Sequence, residues 1–298
     1  MVQLSVDLFL AATFATGLAA VLYAAHAFGA WVVLRQAGTD MGATVTVASR
    51  VGMPAWVGRL GALAAWTALA LLSASLAART IATGRPPYTN MWEYQVAFGW
   101  AILFFYVLFE RWQGQRDTAR ALGAFVLPVA LTLLLVSYLF FPSDVEPLVP
   151  ALQYNFVLGL HVGTMILAYG ALAISFGAGL MYLVQGPRGR FPRLPRPSSL
   201  EEMGYRSVLV GFPLLALGIA LGAYWGDRAW GRYWGWDPKE TSALVTWLIY
   251  AGYLHLRGLR GWRGYRSAWL LVLGFLAILF TYFAVNLWVS GLHSYAGI

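Results

Sequence analysis

The sequence predicts an all-α integral membrane protein with about eight transmembrane helices and both termini outside. Composition, apolar runs and the distribution of basic residues support this fold class. Of the 298 residues, 60% are hydrophobic and 11% are charged, whereas a soluble domain carries about 25% charged residues. Such a chain cannot cover its surface with polar groups. Its composition therefore excludes a soluble enzyme and an ordinary nucleic-acid-binding protein, despite a formal net charge of +8.

Apolar runs long enough to cross a bilayer, which takes about 20 residues, occur eight times. They cover residues 8–34, 57–78, 94–110, 121–141, 155–185, 207–225, 241–256 and 268–291. The seventh run is short, and the fifth is long enough to tilt or to project beyond the bilayer. The opening MVQLSVDLFL lacks basic residues, so we expect the start of a retained helix rather than a cleaved signal peptide. We expect a single polytopic membrane domain over residues 1–298.

Basic residues are concentrated in alternate loops. Fifteen of the 20 lie in four segments, with three in 35–59, three in 111–120, five in 188–206 and four in 257–266. The positive-inside rule places these segments in the cytoplasm. Both termini and the remaining loops, 85–93, 141–155 and 223–240, then lie outside. The net charge thus follows from topology and requires no nucleic-acid partner.

The third outer loop, residues 223–240, is rich in aromatic and charged side chains. Its aromatic residues are Tyr224, Trp225, Trp230, Tyr233, Trp234 and Trp236, and Asp237, Lys239 and Glu240 follow. One interpretation is a belt of aromatic residues at the membrane interface. The other is a slot for a large planar ligand, whose carboxylates would meet cations such as Arg228, Arg232 or Lys239.

Because the chain contains no cysteine, any metal must be bound by the four histidines or by carboxylates. His161 lies about six residues into the fifth run, or about 9 Å along a helix. His293 follows the eighth run, so both histidines are predicted at the outer face beside the Trp-rich loop. His255 and His26 lie towards the inner side. Two neutral imidazoles can occupy both axial positions of haem iron, and haem is a planar dicarboxylate.

The motif YWGWDPKET at 233–241 resembles the WWD signature of membrane haem-handling proteins in cytochrome c maturation. Its DPKET ending is similar to that of the CcsA (ResC) branch of the system II cytochrome c synthase. Further similar stretches are TNMWE at 89–93, LQYNFVLGLH at 152–161, LIYAGYLHLR at 248–257 and YFAVNLWVSGLHSY at 282–295. The CcmC branch fits less well because its chains are shorter, and the CcmF branch because its chains are about twice as long.

The resemblance implies roles for particular residues. His161 and His293 match two outward-facing histidines that hold haem b, and His255 matches a membrane histidine that holds haem in transit. Four tryptophans and one aspartate of the third outer loop match the family segment that surrounds haem. They are Trp225, Trp230, Trp234, Trp236 and Asp237.

The resemblance also implies a function in the cytoplasmic (inner) membrane, with a haem site facing the periplasm or cell exterior. There the chain and a CcsB (ResB) partner would hold reduced, shielded haem for attachment to the Cys-X-X-Cys-His segment of apocytochrome c. Two alternatives stay open at this point. One is a haem-b electron-transfer subunit of a respiratory complex, and the other is a transporter of another planar amphiphile.

Overall fold

Eight long helices make up most of the described chain. The computed structural model describes residues 1–38, 44–113, 116–145, 147–148, 152–153, 156–191, 194–259 and 261–293. The helices are α1 (Val2–Phe28), α2 (Ala55–Thr83), α3 (Met91–Trp112), α4 (Arg116–Phe140), α5 (Phe156–Gln185), α6 (Pro197–Trp230), α7 (Pro238–Arg257) and α8 (Tyr265–Leu279). A π-helical turn, Phe280–Ala284, extends α8 into a further helical turn, Val285–Leu287. Each predicted apolar run thus overlaps a helix, and the predicted class of helical integral membrane protein is confirmed.

Among the described helices, seven are long and apolar enough to cross a membrane. The exception is α7, which has 20 residues and corresponds to the short seventh run. The first turn of α7 contains Lys239 and Glu240, and its last residue is Arg257. These charged residues shorten the apolar part of α7. Bilayer crossing by α7 therefore depends on its neighbours more than on its own composition.

Two segments differ from the sequence prediction. The first apolar run was expected to continue to residue 34, but α1 ends at Phe28 because Gly29 is extended. A β-hairpin follows, in which β1 (Ala30–Gly38) pairs antiparallel with β2 (Thr44–Gly52). The alternation of Thr and Val in β2 favours a strand over a helix.

The second difference concerns the Trp-rich loop predicted over 223–240. The helix α6 continues to Trp230 and α7 begins at Pro238, so only residues 231–237 of this loop are non-helical. These seven residues are called the Trp-rich segment. Parts of the second predicted outer loop, 141–155, lie outside the described residues, as do the last residues of the motif at 282–295.

The fifth helix occupies a central position in the bundle. It packs along α6 over most of its length and also contacts α3, α4 and α8. A side chain on α5 is therefore surrounded by several helices, and this arrangement places His161 inside the bundle rather than towards lipid.

A buried ionic network joins the ends of α2, α3 and α4. The guanidinium of Arg79 is fully buried, and it donates to Glu93 at 2.9 Å and to the backbone oxygens of Ser143 at 2.7 Å and Asp144 at 3.0 Å. Arg85 also contacts the Glu93 carboxylate, at 3.3 Å. The network fixes the loops after α2 and α4 at the end of the bundle that holds the Trp-rich segment.

Candidate functional site

His161 is held rigidly between α5 and α6. Its Nδ1–H donates to the backbone oxygen of Gly218 at 2.7 Å. A Cβ atom at Gly222 would lie 2.6 Å from the imidazole Cε1, so only glycine allows this close approach. The ring lies nearly parallel to the Trp225 indole, with centroids 6.4 Å apart and 7° between the planes. With the proton on Nδ1, the lone pair is on Nε2.

His293 lies in the segment after α8 and is held by the Asp237 carboxylate. Its Nδ1–H donates to Oδ2 of Asp237 at 2.8 Å. The same carboxylate accepts from the backbone N–H groups of Leu292, at 2.6 Å, and Lys239, at 3.1 Å. A Cβ atom at Gly291 would lie 2.5 Å from Asp237 Oδ1, so glycine permits the segment to approach the carboxylate. Asp237 thereby joins the α6–α7 connection to the segment after α8.

The pKa values of this pair favour a carboxylate facing a neutral imidazole. Burial alone raises the pKa of Asp237, but hydrogen bonds from His293 and from the backbone N–H groups of Leu292 and Lys239 outweigh it and lower the pKa overall. Burial and the nearby Lys239 ammonium together lower the pKa of His293 by more than the Asp237 carboxylate raises it. A neutral imidazole that donates from Nδ1 carries its lone pair on Nε2, which is the form that binds a metal.

Trp225 lies close to both imidazoles and is 2% exposed. Its ring centroid is 6.4 Å from that of His161 and 6.0 Å from that of His293. Trp230 packs against Trp225 at 4.7 Å and against His293 at 4.8 Å. An interfacial belt does not account for so deeply buried an indole, although it accounts for the exposed Tyr224 ring.

Both histidines line one cleft, with about 980 Å³ of empty space that includes its open side. Its walls are mainly apolar and aromatic, and they include Trp225 and Trp234 together with Lys239. The Lys239 ammonium donates to the side-chain oxygen of Asn286 at 2.6 Å. Sequence reasoning did not assign Asn286, which lies two residues past the π-helical turn that extends α8. A π-turn is often found at functional sites.

The segment 231–237 owes its shape to the start of α7. The Glu240 carboxylate accepts from the backbone N–H groups of Gly235 at 2.8 Å and Asp237 at 3.1 Å. The Asp237 side chain caps the helix in return, and Pro238 occupies its first turn. This capping box explains the order Asp-Pro-Lys-Glu, since each residue type suits its position at a helix start.

Trp236 stands out because it adopts a left-handed backbone conformation, with φ at 55°. Such a conformation costs an L-residue with a large side chain about 1–2 kcal/mol relative to glycine. The side chain is nevertheless 69% exposed, and its ring contacts that of Trp234 edge-on at 5.7 Å. The strain therefore presents an indole at the surface of the Trp-rich segment.

The two other histidines lie apart from this cluster, as predicted. His255 is exposed in the last turn of α7, 16 residues after Lys239, or about 24 Å along the helix. His26 points towards Gly58 on α2, where a Cβ atom would lie 3.0 Å from the imidazole Nδ1 and 3.0 Å from Arg120 Cδ. The described residues provide no hydrogen-bond partner for this Nδ1.

Comparison with known proteins identifies the family. Residues 88–293 match the family described as "Cytochrome C assembly protein". The chain belongs to this family.

Two family members named "Cytochrome c biogenesis protein CcsA" illustrate the similarity. The protein from Guillardia theta is 36% identical over 245 residues, which cover 74% of this chain and 80% of the relative. The protein from Synechococcus elongatus is 33% identical over 295 residues, which cover 82% of this chain and 88% of the relative. The resemblance to the CcsA branch of the cytochrome c assembly family is thereby confirmed.

The fold is also similar to that of a solved structure, "Cytochrome c Heme Lyase CcmF". The TM-score is 0.65 at 19% sequence identity, and the match covers 95% of this chain and 46% of that chain. At this identity the likeness concerns the fold alone. The helix arrangement of this chain is thus similar to part of a chain about twice as long.

Proposed function

We propose that this protein is the haem-handling subunit of a cytochrome c synthase. It holds haem b at the outer face of the cytoplasmic membrane while haem is attached to the Cys-X-X-Cys-His segment of apocytochrome c. The observation that carries the proposal is the convergence of His161 and His293 on one aromatic cleft. Membership of the family and the name of the CcsA relatives support it.

The side chains of the cleft fit a haem group. Each imidazole donates from Nδ1, to a backbone oxygen in one case and to a carboxylate in the other, so each has its lone pair on Nε2. Trp225 and Trp234 offer apolar rings to a planar macrocycle. A pair of neutral imidazoles in an apolar cleft is the donor set of a six-coordinate haem site.

The chemistry of attachment belongs to the two substrates. Each thiol of the apocytochrome adds across a vinyl group of haem, so that an S–H bond breaks, a C–S bond forms and the hydrogen goes to the second vinyl carbon. The histidine of the Cys-X-X-Cys-His segment would take the place of either His161 or His293. The protein binds and orients haem and excludes water, which agrees with the absence of cysteine from its own sequence.

Haem enters the protein from the cytoplasmic side of the membrane. His255 is exposed near the inner end of α7 and holds haem in transit, together with a histidine from a CcsB (ResB) type partner subunit. The basic residues of the inner loops support this orientation, with both termini and the cleft facing the periplasm or cell exterior.

The proposal is tested by changing His161 and His293 to alanine separately and together. Each single variant should lose the absorption spectrum of bis-histidine haem and fail to mature a cytochrome c, and added imidazole should partly restore both by filling the open position. His26→Ala is the matched control, because it removes a histidine from the other end of the bundle. Full maturation by either single variant would contradict the assignment.

Haem transfer to a synthetic Cys-X-X-Cys-His peptide separates the proposal from the alternatives. A synthase, purified with its partner, should form thioether bonds to the peptide. Redox-active haem without attachment would instead indicate an electron-transfer subunit, and absence of bound haem would indicate a transporter of another amphiphile.

A further inference from the structure

We propose that Lys239 sets the reduction potential of the haem held in the cleft, by fixing a positive charge beside the two histidines. The inference rests on the proposed function and deepens it. It concerns which oxidation state the site favours rather than which residues bind the iron.

The position of Lys239 is determined by the local fold. The residue lies in the first turn of α7, two residues after Asp237, and its side chain lines the same cleft as His161 and His293. The ammonium donates to Asn286 Oδ1 at 2.6 Å. The Asn286 amide donates in turn to the backbone oxygen of Tyr282 at 2.6 Å, which fixes the amide orientation. The lysine is therefore held inside the cleft and does not extend into solvent.

The acceptor of this lysine is a neutral amide. Among the described residues, Lys239 belongs to none of the ion pairs. The two neighbouring carboxylates already accept hydrogen bonds, Asp237 from His293 and two backbone N–H groups, and Glu240 from two backbone N–H groups. The positive charge is thus not cancelled by a direct carboxylate contact, and it acts on whatever the cleft contains.

A fixed cation favours the oxidation state with less positive charge. Oxidised haem iron carries one more positive charge than reduced iron, so a nearby ammonium destabilises the oxidised form and raises the reduction potential. For two charges separated by roughly 12 Å at an effective dielectric constant of about 20, the effect on the equilibrium is about tenfold. For a one-electron couple, tenfold corresponds to about 59 mV. The family resemblance implies that haem is held in the reduced state for attachment, and this is the state that Lys239 would favour.

The test is a spectroscopic redox titration of the full chain purified with haem. Lys239→Met removes the charge but keeps the length of the side chain, and it should lower the reduction potential by about 59 mV without changing the bis-histidine spectrum. Lys239→Arg keeps the charge and should stay close to the original potential. Asn286→Asp keeps the lysine and places a carboxylate against it, so it should lower the potential in the same direction.

The outcomes separate this inference from the proposed function. If the unmodified protein shows no bis-histidine haem, the proposed function fails. If it binds haem and Lys239→Met retains the original potential, only the role of Lys239 is refuted. If Lys239→Met loses haem altogether while Lys239→Arg keeps it, the residue anchors a haem carboxylate. The inference is refuted then too, unless Asn286→Asp binds haem at a lower potential.

Discussion

The link between Asp237 and His293 provides the sharpest test of the site. Asp237→Asn leaves a single acceptor oxygen where two oxygens accept three N–H groups, from His293, Leu292 and Lys239. Whichever way the amide turns, at least one partly buried N–H group faces an NH₂ group. A hydrogen bond to a charged acceptor contributes about 1.5–3 kcal/mol. Substitution of such a partner of a metal ligand weakens metal binding by about 10–100-fold. A loss of about 2 kcal/mol corresponds to about 30-fold weaker haem binding.

The assay is a haem titration of the purified protein followed by absorbance. Folding should be little affected, because Asn and Asp are nearly equivalent as helix N-caps. Glu240→Gln is the matched control, since it weakens the other half of the capping box without touching His293. A double-mutant cycle decides the mechanism. In a His293→Ala background, Asp237→Asn should cause little further loss. An undiminished effect in that background would show that Asp237 acts through α7 and not through His293.

Three further predictions concern other parts of the molecule. Trp236→Gly should relieve about 1 kcal/mol of backbone strain and raise thermal stability, yet lower the amount of haem that co-purifies. The control is Trp112→Ala, at the exposed end of α3, which should change neither thermal stability nor haem content. Full haem retention by Trp236→Gly would exclude a binding role for the Trp236 indole. His255→Ala should reduce haem content while leaving the spectrum of the outer site intact, whereas His26→Ala should leave haem content near normal. If both variants lose the same amount of haem, the inner site is built from residues of this chain and needs no partner histidine. Arg79→Met should destabilise the fold by about 3 kcal/mol, because it leaves the buried Glu93 carboxylate with fewer partners. An unchanged melting temperature in detergent would contradict this.

The helices and the general location of the site could be predicted from the sequence. A run of about 20 apolar residues has few stable conformations in a bilayer other than a helix, because each backbone polar group must find a partner within the segment. The same regularity allowed the depth of His161 to be calculated from the rise per residue. The basic residues of alternate loops then placed His161, His293 and the Trp-rich segment at one end of the bundle.

The features that required the structure depend on contacts between distant parts of the chain. Asp237 and His293 are 56 residues apart, and no local pattern indicates that one orients the other. Lys239 was expected as one of several cations at the rim, but its contact with Asn286, 47 residues away, places it within the cleft. The β-hairpin after α1 was missed because an apolar run that contains Val32 and Val33 suits either a helix or a strand.

The two histidines of the cleft are held in different ways, and the difference bears on how the site can work. His161 is on the most enclosed helix, between the Gly218 oxygen and the Trp225 ring, so its movement would require α5 and α6 to separate. His293 lies beyond the last helical turn, and the Asp237 carboxylate is the acceptor of its Nδ1–H. Under the proposed function, replacement of one haem ligand by a substrate histidine would require one ligand that stays and one that moves. His161, on a packed helix, would then be the ligand that stays. His293, in the segment after α8 that the Asp237 carboxylate positions, would be the ligand that moves.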